Sequence, residues 1–142
     1  MLSKFDLLVA DYVDPGKVKY VVYPFNLGRA EMALATEAAW CAQDQGKFFE
    51  YQHALFENQG QLAYDQQSLV DLAARTDLDE AALAQCLVSG THRADVENAR
   101  QIAVNRGVTS TPTFFINNQR LQGDQPYNIF QRTIDQELVL AQ

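Results

Sequence analysis

The chain has 142 residues, of which 47% are hydrophobic and 20% charged. That is enough for one compact domain with its own core and too little for two ordinary ones. Eighteen acidic against 11 basic residues leave a formal charge of −7, the wrong sign for wrapping nucleic acid or coating an anionic membrane. The apolar fraction excludes disorder, and Asp6, Asp11 and Lys19 interrupt the apolar stretches well short of bilayer-spanning length. The expectation is a soluble domain with neither a nucleic-acid nor a membrane partner.

Leu2, Phe5, Val9 and Tyr12 recur at helical spacing, and Asp14, Pro15 and Gly16 must end that helix. Lys17 to Tyr23 then alternates Val18, Tyr20 and Val22 with Lys17, Lys19, Val21 and Tyr23, the period of a strand, with Pro24 as its stop. Because Val21 and Tyr23 make the second face apolar as well, this strand is predicted inside a sheet with helices on both sides. From Leu27 to about Ser89 the pattern is helical. Leu34, Ala38 and Cys41 form one stripe and Phe48, Tyr51 and Leu55 another, with breaks at Gln45-Gly46 and Asn58-Gln59-Gly60. Leu69, Leu72 and Ala73 mark a short third helix, and Asp79 is predicted as N-cap of a fourth that Gly90 closes. Thr91 is predicted to cap a fifth, which carries Val96, Ala99 and Ala103 inward and stops at Gly107.

Beyond Gly107 the period changes. Thr113 to Ile116 is a short apolar run, Asn117-Asn118 suits a tight primed turn, and Arg120 to Gln122 returns as a second strand. Pro126 fits the first turn of a last helix whose Tyr127, Phe130, Ile134 and Leu138 trace one stripe. The order helix, strand, helical block, strand, strand, helix is that of an α/β domain with a large helical insertion.

Pro112 stands immediately before an apolar strand, where it supplies no N–H to a ladder. It is either an ordinary trans proline opening the strand or a cis one. The cis form costs only about 0.5–1 kcal/mol for an X–Pro bond and would leave the preceding backbone free to pair with an extended peptide. No CxxC exists, since Cys41 and Cys86 stand 45 positions apart, and two thiols with His53 and His92 make a thin metal set. No metal and no cofactor is predicted.

The run GVTSTPTFFINNQRLQGDQPYNIFQRTID resembles the C-terminal half of DsbA-like thioredoxin-fold oxidoreductases, in which TPTFFIN carries a cis-proline loop and QPY opens the last helix. DYVDPGKVKYVVYPF resembles the second core strand of that family, and AAWCAQDQGKFFEYQHALFENQG and QCLVSG resemble parts of its inserted helical subdomain. The resemblance implies a thioredoxin core at residues 1–26 and 107–142 around a helical insertion at 27–106, with Ser110, Thr111 and Pro112 facing substrate. It also implies a CxxC at the start of the helix before DYVDPGKV and a first core strand; both are expected to fall outside this chain. The family is mostly exported, whereas MLSKFDLLVADYVD does not read as a secretory signal, which leaves the compartment open.

Three functions are compatible with this reading. The first is a redox-inactive form that keeps a loop for unfolded or cysteine-containing peptides. The second is a non-catalytic, self-associating structural protein, because an absent central strand leaves ladder edges that favour a homo-oligomer. The third is a glutathione-type transferase or isomerase using another nucleophile, for which only Ser3 is suitably placed. Cys41 and Cys86 lie on apolar stripes, where a reduced thiol behaves as a small hydrophobe; the alternative is a structural disulfide between helices of the insertion. Nothing in the sequence places His53 or His92 beside them. His53 reads as semi-exposed and His92 as solvated, Asp77, Asp79 and Glu80 as helix-start carboxylates, and Trp40, Phe48, Phe49 and Phe56 as core rather than a groove.

Overall fold

The structure is a computed structural model that describes residues 2–26 and 28–141. It divides into two units, one built from residues 1–22 with 107–142 and the other from residues 23–106.

In the first unit, helix α1 (Leu2–Leu8) widens into a π-turn at Val9–Val13, where the Asp14 N–H donates to the Val9 carbonyl at 2.8 Å. The extra residue per turn puts Leu8 and Tyr12 in the core, while Phe5 and Val9 remain half-buried. Gly16, at φ 73°, ends the turn. The two strands β1 (Thr113–Ile116) and β2 (Gln119–Gln122) pair antiparallel with Thr113 opposite Gln122 and Ile116 opposite Gln119. Of the two residues joining them only Asn117 is left-handed, at φ 50°, so the turn is not the doubly positive type I′. Helix α7 (Tyr127–Leu140) follows Pro126, which is its N-cap rather than a member of its first turn. Leu8, Tyr12, Phe130 and Ile134 form the core, with Val18, Phe114, Ile116, Leu121, Tyr127 and Leu138 packed against it. Its edges carry polar ties: the Tyr12 hydroxyl donates to Asp135 at 2.9 Å, the Tyr127 hydroxyl to Asp11, and Lys4 Nζ to Asp124 at 2.7 Å. Burial and the Asp135 carboxylate push the Tyr12 hydroxyl up to about 12.

The strand expected at Lys17–Tyr23 is not formed. Val18, Tyr20 and Val22 are half-buried, and Lys17, Lys19, Val21 and Tyr23 are exposed, so the alternation is real. Tyr20 meets the Phe5 ring edge-on at 5.2 Å. A strand also needs a neighbour, and among the described residues β1 and β2 pair only with each other. Val21 and Tyr23, 53% and 52% exposed, are therefore not covered by helices on a second face as their apolarity implied.

Among the described residues the second unit has five α-helices, α2 (Ala30–Asp44), α3 (Phe48–Glu57), α4 (Gln66–Ala73), α5 (Glu80–Ser89) and α6 (Arg93–Asn105), with a short 3-10 turn at Ala74–Thr76 after α4. Asp65 and Asp79 cap α4 and α5 by accepting from the Ser68 and Ala82 N–H groups at 2.8 and 3.0 Å. Gly90, at φ 63°, closes α5. The predicted start at Leu27 lies outside the described residues, and α2 begins at Ala30. Thr91 does not cap α6; His92 holds that position, while the Thr91 hydroxyl lies 2.6 Å from that of Ser89. Tyr51, Leu69, Leu83 and Leu87 are fully buried, and the Tyr51 hydroxyl donates to the Leu69 carbonyl at 2.7 Å. That bond lets a phenol occupy an apolar interior, and burial raises its pKa. Among the described residues no helix is long and apolar enough to cross a membrane.

Candidate functional site

The first unit carries the Ser110–Pro112 loop on the hairpin. Gly107, at φ 72°, turns the chain into it. The Ser110 carbonyl accepts from the Thr113 hydroxyl at 2.7 Å, the Ser110 hydroxyl from Gln122 Nε2 at 2.7 Å, and the Pro112 carbonyl from the Gly123 N–H at 2.8 Å. These bonds pin the loop on either side of Thr111. The Thr111–Pro112 peptide bond is cis. Thr111 is exposed, and among the described residues neither its N–H nor its carbonyl is hydrogen-bonded. One donor and one acceptor held in place at the surface can engage an extended chain.

The second unit holds Cys41 of α2 and Cys86 of α5, joined as a disulfide with Cα atoms 6.0 Å apart. The pairing resolves the two readings of these cysteines against reduced thiols. Beside it stands His92, with its side chain only 13% exposed, so the expectation of a solvated histidine is overturned. Its ring stacks on Trp40 with centroids 6.0 Å apart. Its Nδ1 lies 2.7 Å from Asp95 Oδ2, and its Nε2 lies 2.8 Å from Asp44 Oδ2. Asp44, Cys86 and His92 bring their ligand atoms within 4.8 Å of one another, a juxtaposition of histidine and cysteine that the sequence does not reveal. Nearby, Glu37 is buried with one carboxylate oxygen 3.7 Å from Arg93 Nε and the other unpartnered among the described residues. Burial raises its pKa against the opposing pull of Arg93 and His92.

Burial disfavours a charge on His92, but the hydrogen bonds and charges of Asp44 and Asp95 outweigh it, and its pKa is raised. The folded chain then keeps a proton that the unfolded chain releases. The resulting stabilisation is complete below the ordinary histidine pKa of about 6.5 and is lost as pH rises through the folded-state value. Urea midpoints across that window are expected to fall toward high pH in the native chain and to flatten in His92→Gln. An equal fall in the variant would assign the effect elsewhere.

The remaining candidates are scattered. His53 is half-buried with Nε2 3.1 Å from Glu57, Phe48 is in the core, and Phe49 and Phe56 are 43% exposed rather than buried. The Ser3 side chain lies outside the described residues. Asp44 and Asp95 are not singled out by sequence reasoning. Their local signal is weak: Asp44 is three positions after Cys41 on a helix, and Asp95 three after His92.

A protein-family model described as thioredoxin matches residues 3–136. Disulfide bond formation protein D of Bacillus subtilis strain 168 is 27% identical over 141 residues, covering 94% of this chain and 63% of that protein. A Na(+)/H(+) antiporter, NhaA 1 of Salinispora arenicola strain CNS-205, is 37% identical over 102 residues, 68% of this chain but 14% of the antiporter. The chain thus spans less than two thirds of the length of the curated relatives it matches. The crystal structure of oxidised BdbD from Bacillus subtilis superposes with a TM-score of 0.77 at 24% identity, covering 94% of this chain and 76% of that one. The two chains share a thioredoxin-like α/β fold. With a family model matched from residue 3 to residue 136, the chain belongs to the thioredoxin family.

Proposed function

We propose that this chain is a polypeptide-binding DsbA-like domain that engages extended, cysteine-containing segments through the backbone of Thr111, and that it does not itself turn over dithiols. The observation that carries this reading is the surface Thr111 N–H and carbonyl, free of partners among the described residues and braced by the bonds of Ser110 and Pro112. The absence of any CxxC in these 142 residues supports binding without turnover. The relative named for disulfide-bond formation supports polypeptide thiols as the ligand class.

A second reading, self-association, is favoured by the alternating, unladdered segment from Lys17 to Tyr23 with its exposed Val21 and Tyr23. One titration separates the two. Adding an extended cysteine-containing peptide to isotope-labelled protein is expected to shift the amides of Ser110, Thr111 and Thr113. Reduction of an insulin-type disulfide should stay at the level of a Cys41→Ser/Cys86→Ser control. Turnover above that control, or an unresponsive loop, would defeat the first reading; concentration-dependent broadening at Lys17–Tyr23 with a dimeric light-scattering mass would favour the second.

A further inference from the structure

We propose that reduction of the Cys41–Cys86 disulfide opens a tetrahedral site for a thiophilic divalent cation of the zinc class, held by Cys41, Cys86, His92 and Asp44. The donor types fit that ion, which takes thiolate sulfur, imidazole nitrogen and carboxylate oxygen. Three of the four atoms are already gathered, since those of Asp44, Cys86 and His92 lie within 4.8 Å of one another; the Cys41 sulfur is outside that group but is bonded to that of Cys86. Tetrahedral zinc with bonds of about 2.0–2.3 Å needs donors about 3.3–3.8 Å apart, so the three clustered donors must close by about 1 Å while the two sulfurs, no longer bonded after reduction, move apart to the same spacing. Asp44, with 54% of its side chain exposed at the end of α2, has the freedom to make it and leaves the site open to solvent.

The chain assembles the set from two short pieces. Cys41 and Asp44 are three residues apart on α2 and share a face. Cys86 and His92 flank the left-handed turn at Gly90, which returns the chain from α5 to the head of α6. Asp95, 2.7 Å from Nδ1, holds the histidine so that Nε2 faces Asp44, the carboxylate–histidine–metal arrangement in which an outer carboxylate fixes ring orientation. Asp95 is thus a positioning residue.

In the disulfide neither sulfur carries thiolate charge, and the set has only two effective ligands. A dithiol reductant completes it. The reductant gives up two electrons and two protons and closes its own disulfide; the Cys41–Cys86 bond breaks and each cysteine becomes a thiol. Each thiol that binds the cation releases its proton to water.

The test uses the whole chain, reduced with a dithiol, desalted without oxygen and titrated with Co2+, then Zn2+. Reduced protein is expected to bind one equivalent of cobalt with thiolate charge-transfer and tetrahedral ligand-field absorption that zinc abolishes. Oxidised protein should show neither band. His92→Gln and Asp44→Asn should remove a ligand and weaken binding by at least tenfold, and Asp95→Asn should weaken it by about 10–100-fold. Circular dichroism on the same samples covers the case in which reduction unfolds the helices, for then added zinc must restore them. No cobalt bands in folded reduced protein, bands indifferent to His92 and Asp44, or unfolded protein that zinc does not rescue would each overturn the proposal.

Discussion

Replacing Cys41 and Cys86 together with alanine is expected to lower the stability of the helical unit by about 4 kcal/mol, a large share of the roughly 5–15 kcal/mol that native proteins possess. The bond closes a separation of 45 residues that runs from α2 through α3 and α4 to α5, so cutting it releases most of the unit's chain to the unfolded ensemble. In the chain-entropy account a closure of this length contributes between the roughly 3 kcal/mol of a 15-residue loop and the 4.7 kcal/mol of a 100-residue one.

The rival cause is packing, because Cys41 is 1% exposed and its loss leaves a small void between α2 and α5. Dithiol treatment of the native chain separates the two, since it keeps both sulfur atoms and removes only the constraint. Urea unfolding followed by the fluorescence of Trp40, the single tryptophan and the neighbour of Cys41, is expected to show nearly the same loss on reduction as in the double variant. Measurements in chelator keep adventitious metal from masking it. A reduced native chain as stable as the oxidised one would assign the loss to packing, and a loss below about 1 kcal/mol in both would mean the disulfide does little for this fold.

What could be read in advance follows from the range of the interactions. Helices α3 to α5 and α7 appear in the sequence because their apolar residues recur at their own spacing and their ends carry local chemistry, such as Asp79 before α5 and Gly90 after it. The proline loop is legible for the same reason, since Pro112 directly precedes an apolar run. Lys17–Tyr23 shows where local pattern stops being sufficient. Its alternation sorts side chains into half-buried and exposed rows, yet a ladder is a property of two segments, and the described residues supply no second one. His92 failed differently. Its place in the first turn of a helix made it read as solvated, while the Asp44 carboxylate that holds it lies 48 residues away. The disulfide stood between these cases: both cysteines fell on apolar stripes, but only the packing of α2 against α5 decides that the stripes meet.

Phe130→Ala is the substitution with the largest expected effect in the other unit. Phe130 is 3% exposed in a core of four buried residues, and its ring meets that of Phe114 edge-on with centroids 4.8 Å apart. Truncation to alanine removes the apolar area, the edge-to-face contact and the fill beneath β1, for a loss of about 3–5 kcal/mol. So few buried neighbours surround the void that collapse into it must move the hairpin, and β1 leads directly out of Pro112. The consequence is therefore twofold. Amide exchange at Phe114 and Ile116 should accelerate, and the peptide-induced shift at Thr111 should fade although no residue of the loop has changed. Phe130→Leu keeps most of the volume and should lose about half as much stability or less while retaining the Thr111 response. If both variants bind peptide like the native chain while Phe130→Ala is destabilised as expected, the loop holds its shape through the Ser110, Thr113 and Gln122 hydrogen bonds alone, and the core beneath it serves stability only.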